Sequence, residues 1–180
     1  MSSRGSNLRV LAALLTLIIV PAIPTHANLQ ESSGKLVRVE YDSNKDFTSI
    51  TLSPFVLASR KFEELRLGAI TGFAGKTRVK PKEVALVFVS LSTSDMSKYV
   101  STRKLTITLD GERLPVGETQ HSKQTQNGLF VETMPITIPM DLFLRISQAH
   151  EVTMKLGFTE IKLTPEHMQI LRIAASYMTE

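Results

Sequence analysis

The stretch Lys104-Leu105-Thr106-Ile107-Thr108-Leu109-Asp110-Gly111-Glu112-Arg113-Leu114-Pro115-Val116 sets the reading of the chain. Leu105, Ile107 and Leu109 alternate with Thr106 and Thr108, the period of a strand with one buried face. Asp110-Gly111 follows, two residues that tolerate positive φ and suit a tight turn whose twist matches that of paired strands. A strand, a two-residue turn and a second extended run describe an antiparallel hairpin. The fold is therefore expected to be built from antiparallel pairs, without βαβ crossovers.

Working outward toward the N-terminus, Val84–Leu91 (VALVFVSL) is the most apolar β-type run and is expected to be a central strand. Before it, Leu65, Leu67, Ala69, Thr71 and Phe73 share one side of an extended segment. Arg66, Gly68, Ile70, Gly72 and Ala74 share the other, whose small residues would let something pack closely. Leu36–Tyr41 and Phe47–Leu52 read as strands around the turn cluster Asp42-Ser43-Asn44-Lys45-Asp46, with Pro54 ending or displacing the second. Toward the C-terminus, Gly128–Thr133 and Pro135–Ile138 add two short extended pieces, and Pro115, Pro135 and Pro139 point to edges or bends. Met140–Ala149 has helical spacing, with Leu142, Ile146 and Ala149 on one face and Asp141 and Arg145 at i,i+4 on the other. Val152–Leu156 and Phe158–Leu163 form a hairpin around Gly157. Thr164-Pro165-Glu166 then opens a last helix with buried positions Met168, Leu171, Ala174, Ala175 and Met178. The expected fold class is α+β: mainly antiparallel β, as a sandwich or a single curved sheet, with two short helices in the C-terminal third.

The order of elements from Leu105 to Met178 resembles small exported bacterial proteins of unknown function. The resemblance rests on Ala149-x-x-Val152-x-Met154-x-Leu156-Gly157 followed by Leu163-Thr164-Pro165-Glu166. It extends more faintly to periplasmic domains of the invasion-associated-protein-B type. That family normally has cysteines and this chain has none, so no function or site residue is carried over from it.

Residues 1–27 read as a secretory signal peptide. Arg4 and Arg9 precede the apolar run Val10–Val20, Pro21 and Pro24 break it, and Thr25-His26-Ala27 supplies small residues at the cut. The run is shorter than the ~20 apolar residues a membrane-spanning helix needs. Asn28–Lys35 is a polar tail, expected to be flexible, and residues 36–180 form a single β-rich globular domain. Without the leader the formal charge falls from +4 to +2, so charge as a whole argues little for a polyanion partner. An exported chain with no cysteine and no Asn-x-Ser/Thr sequon suits a bacterial periplasm or exterior.

Composition excludes a disulfide scaffold, a Cys-ligated zinc site and a thiol nucleophile. With no Trp and 6% aromatic residues, the chain is poorly equipped for stacking on sugars. No Gly-x-Ser-x-Gly motif occurs. His121 falls in a polar loop, His150 after a helix and His167 in a helical first turn, and no spacing joins them to a nucleophile. Glu63, Glu64, Asp110 and Glu112 carry no pairing signature. His150-Glu151 and Glu166-His167 lack the i,i+4 spacing of metal ligands. No catalytic residue, metal site or cofactor is assigned. The distinctive feature is Lys76-Thr77-Arg78-Val79-Lys80-Pro81-Lys82, whose four cations lie at alternate positions. In an extended chain Lys76, Arg78, Lys80 and Lys82 would point one way and could meet an anionic lipid or polysaccharide. The same pattern protects a sheet edge from unwanted pairing. Nucleic acid is not an expected partner, because the leader exports the chain and no aromatic residue interleaves the stripe. These features suggest an exported, periplasmic or secreted, non-enzymatic domain that binds a partner or an envelope component and has no transmembrane segment once its signal is removed. An apolar-ligand carrier and a small hydrolase are the alternatives.

Overall fold

The computed structural model describes residues 36–95 and 97–179. The signal-peptide and tail assignments, residues 1–35, lie outside the described residues. Among the described residues, ten strands and two helices follow one another: β1 (Val37–Asp42), β2 (Phe47–Arg60), β3 (Glu63–Ala74), β4 (Glu83–Ser92), β5 (Lys104–Leu109), β6 (Glu112–Glu118), β7 (Ser122–Gln126), β8 (Leu129–Pro139), α1 (Met140–Gln148), β9 (Val152–Leu156), β10 (Thr159–Lys162) and α2 (Pro165–Thr179). They form two antiparallel sheets, one of six strands in the order β1-β2-β3-β4-β8-β7 and one of four in the order β10-β9-β5-β6. The fold is α+β and sandwich-like.

The Asp110-Gly111 hairpin forms as read: Leu109 pairs with Glu112, and both turn residues have positive φ (48° and 89°). β4 is central, paired along its length with β3 and β8. The sheet faces meet in one core that includes Leu65, Leu67 and Phe88 from the larger sheet and Leu105, Ile107 and Met154 from the smaller. Phe143 and Ile146 of α1 and Leu171 and Ala174 of α2 join it. The opposite face of the larger sheet carries Ile70, Ala85, Val87, Val89 and Val131, which are also buried.

Several boundaries differ from the sequence reading. β2 does not stop at Pro54; a register shift between Leu52 and Phe55 absorbs the proline, and the strand runs on to Arg60. β8 is continuous through Pro135, an interior position opposite Val87. Proline fits there because β7 has already ended: the Pro135 carbonyl accepts a bond from Gln120 N at 2.9 Å, so the missing N–H faces that loop and not β4. The polar segment around His121 yields a strand, β7, closed by an Asn127-Gly128 turn with φ of 51° and 78°. In α1 the buried side is Met140, Phe143, Ile146 and Ser147, with Leu142 half-buried. Arg145 bonds Glu112 (2.7 Å) and Asp141 bonds Lys80 (2.9 Å), so the two do not pair with each other. The small residues of β3 accommodate β2: a Cβ on Gly72 would collide with the Phe47 ring, and one on Gly68 would lie 3.2 Å from the Pro54 ring.

Candidate functional site

β3 carries the chain from one end of the larger sheet to the other, about 40 Å for twelve residues at strand rise. A distinct group of polar side chains sits at each end.

The β3–β4 connection contains Lys76, Arg78, Lys80 and Lys82, all exposed. It is a loop and not a paired strand, and three of the four cations are directed to different neighbours. Lys76 Nζ lies 4.8 Å from the centre of the Tyr41 ring. Arg78 Nη2 donates to the Tyr177 carbonyl at 3.0 Å, placing a cation at the negative end of α2, whose own last turn has no basic residue. Lys80 meets Asp141. The Lys82 backbone carbonyl accepts from Met140 N at 2.9 Å, joining the loop to the start of α1. Of the four, only Lys80 has a carboxylate partner among the described residues. Val79, Tyr41 and Tyr177, each more than a third exposed, surround the cations. The loop thus carries three cations that form no ion pair among the described residues, next to two tyrosine rings, with exposed Glu83 following Lys82.

At the other end, core positions of β3, β4 and β8 change from apolar to polar. Glu63, Ser90 and Glu132 are all buried, and the segment after β4 folds over them. Glu63 Oε1 accepts from Ser90 Oγ (3.1 Å) and Tyr99 Oη (3.0 Å), and its Oε2 from Lys98 Nζ (2.5 Å). Tyr99 Oη also lies 3.3 Å from Thr159 Oγ1 in β10, tying the two sheets together. Burial alone would raise the Glu63 pKa; the bonds from Lys98, Tyr99 and Ser90 outweigh it and hold the carboxyl below its ordinary value. Burial also pushes the Tyr99 hydroxyl far up, so it stays a donor. Glu132 Oε1 accepts from Ser97 Oγ and from His121 Nε2 (2.7 Å). Here the carboxylate stands between hydroxyl and imidazole, so Ser97 has no imidazole to take its proton. Ala58, Arg60, Glu63, Leu65 and Thr159 line a crevice with no interior room for a water molecule. Among the described residues no buried side-chain polar atom lacks a partner, which fits a cross-brace better than a reacting centre.

A third feature is an open recess of about 340 Å³ lined by Leu109, Asp110, Glu112, Arg145, Gln148 and Ala149. Its acids are already engaged. Asp110 Oδ1 accepts from the backbone N–H of His150 (3.0 Å) and Glu151 (2.7 Å), and Glu112 holds Arg145. His167 acts as a cap: its Nδ1 accepts from Thr164 N (3.2 Å), and Thr164 Oγ1 accepts from His167 N (3.3 Å). This is a capping box with imidazole in the usual glutamate place. Burial holds the ring below its ordinary pKa, in the neutral form that this acceptor role requires. Among the described residues no three His, Cys, Asp or Glu side chains are grouped to hold a metal ion, and no helix is long and apolar enough to cross a membrane.

Sequence reasoning singled out the cationic loop and passed over the Glu63–Tyr99 and Glu132–His121 groups. Their members come from β3, β4, β8, β10 and two loops, and no local spacing joins them. One signal was present: polar Ser90 and Ser92 at the end of an otherwise apolar central run. No protein-family model matches the chain, and neither a curated protein nor a solved structure shows significant similarity to it.

Proposed function

We propose that this chain is an exported, non-enzymatic binding module that engages an anionic component of the cell envelope through its β3–β4 loop. The observation that carries this reading is the group of Lys76, Arg78 and Lys82, without carboxylate partners, beside exposed Val79, Tyr41 and Tyr177. Clustered cations attract phosphate or carboxylate groups, and the tyrosines offer surface that is apolar at one end and polar at the other. The sealed, fully bonded state of the buried carboxylates supports a binding role over hydrolysis, and the open, polar rim of the 340 Å³ recess supports it over apolar-ligand carriage.

Titration of residues 28–180 with a soluble anionic polysaccharide that carries no acyl chains tests the proposal. Binding should be strong at 0.01 M salt and weak at 0.15 M, because the Debye length shrinks from ~30 Å to ~8 Å. Replacing Lys76, Arg78, Lys80 and Lys82 with Gln should abolish the salt-sensitive binding. Its persistence in that variant would refute the assignment.

A further inference from the structure

The end of the larger sheet opposite the cationic loop shows a regular arrangement. Three buried residues, Glu63, Tyr99 and Thr159, are linked through one hydroxyl, at 3.0 and 3.3 Å. Each is next in sequence to a large, exposed apolar residue: Phe62 (59% exposed), Val100 (57%) and Phe158 (84%). They belong to the β2–β3 turn, the segment after β4 and the β9–β10 turn. The buried link therefore brings three apolar tips from distant parts of the chain to the same end of the molecule. Gly157, at φ 58°, sets the approach of the third: a Cβ there would collide with the Thr102 carbonyl. Exposed Arg60, Lys61 and Lys98 accompany the tips, with Lys61 Nζ 5.1 Å from the Phe62 ring centre and the Lys98 side chain half exposed.

We infer that this end docks on an anionic lipid bilayer, with Phe62, Val100 and Phe158 entering the headgroup–acyl boundary and Arg60 and Lys61 meeting the lipid phosphates. Three observations favour this occupant. The apolar groups are separate projecting tips, and a fluid bilayer accepts them without a matching pocket. Together they expose on the order of 350 Å² of side chain, well short of the ~800 Å² per partner of a standard protein interface. Arg60 and Lys61 at the rim have no carboxylate partner among the described residues, so a second copy placed face to face would set them against each other, whereas anionic lipid complements them. Because the β3–β4 loop lies at the far end of β3, this contact is independent of the function proposed above and leaves that loop facing away from the bilayer.

The sequence has no Trp, so Phe158→Trp supplies a single fluorescent reporter. Vesicles of phosphatidylethanolamine and phosphatidylglycerol should shift its emission to the blue, and brominated acyl chains should quench it. The triple variant Phe62→Ser, Val100→Ser, Phe158→Ser should partition at least about tenfold more weakly while keeping its unfolding midpoint, since all three positions are exposed. The blue shift should survive replacement of the four β3–β4 loop cations by Gln, which separates this contact from the loop's. Indole emission from the Phe158→Trp variant that is neither shifted nor quenched by vesicles, or unchanged partitioning of the triple variant, would overturn the inference.

Discussion

Removing one oxygen atom tests the Glu63 brace. Tyr99 is 1% exposed, and its hydroxyl donates to Glu63 Oε1 at 3.0 Å while contacting Thr159 Oγ1 at 3.3 Å. Tyr99→Phe keeps the ring and opens no sizeable cavity, so the change isolates the hydroxyl. A hydrogen bond to a charged group contributes about 1.5–3 kcal/mol, and the loss leaves a buried carboxylate one donor short. Lys98 and Ser90 still serve Glu63, which places the expected loss near the middle of the range, about 2 kcal/mol. Urea unfolding at pH 7 should show a lower midpoint with an unchanged slope. The pH dependence gives a second check. Glu63 is held below its ordinary value of 4.5, so the stability gained from its ionised form is complete above that pH and is lost as pH falls through the lower folded value. The difference between wild type and Tyr99→Phe should therefore be full at pH 7 and should shrink below pH 4.5. A loss under about 0.5 kcal/mol at pH 7, or one that does not change on acidification, would refute a brace built on an ionised Glu63.

Thr164→Ala should cost about 1 kcal/mol by removing the acceptor for His167 N, read by chemical unfolding. His167, depressed below its ordinary 6.5, favours the neutral ring, so stability should fall as pH drops from above 6.5 through the lower folded value; His167→Gln should retain the cap and lose that dependence. Leu171→Ala, at 0% exposure, should cost about 2–5 kcal/mol in the same assay. Gly157→Ala should cost about 1–3 kcal/mol, combining positive φ with the collision at Thr102, whereas Gly111→Ala, with open space around its Cβ, should cost less. N-terminal sequencing of protein recovered after export should find a start within a few residues of Asn28.

The parts of the fold that were legible in the sequence are those where a local pattern decides. Strand alternation and Asp110-Gly111 gave the β5–β6 hairpin, the VALVFVSL run gave a central strand, and Thr164-Pro165 gave the start of α2. The misreadings came where tertiary context prevails. Pro54 and Pro135 each signal an interruption, yet a register shift in one strand and the end of a neighbour at the other allow the ladders to continue. β7 (SKQTQ) has no apolar face to reveal it because every residue is exposed at a sheet edge; only the Asn127-Gly128 turn marks it. The alternating cations were legible as a group, but not their directions, because a loop does not keep strand geometry and Arg78 is drawn to the end of α2. The buried polar residues were least legible: Glu63, Tyr99 and Thr159 meet only after both sheets have formed.

The interleaving of the two sheets has a kinetic consequence. After β4 the chain leaves the six-stranded sheet to make β5 and β6, returns for β7 and β8, and leaves again for β9 and β10. β8 must find β4 across the whole of residues 93–128, and β5 waits for β9 to cover its second edge. Such contacts carry a loop-closure cost before any ladder rewards it, so folding should be slow compared with a helical protein of this size. A nascent chain whose first 128 residues have emerged can form the β1–β4 meander and the β5–β6 hairpin, but it cannot complete either sheet. Cooperative folding thus has to await synthesis of the last third, and until then the nascent chain remains open to factors that hold or thread unfolded polypeptide.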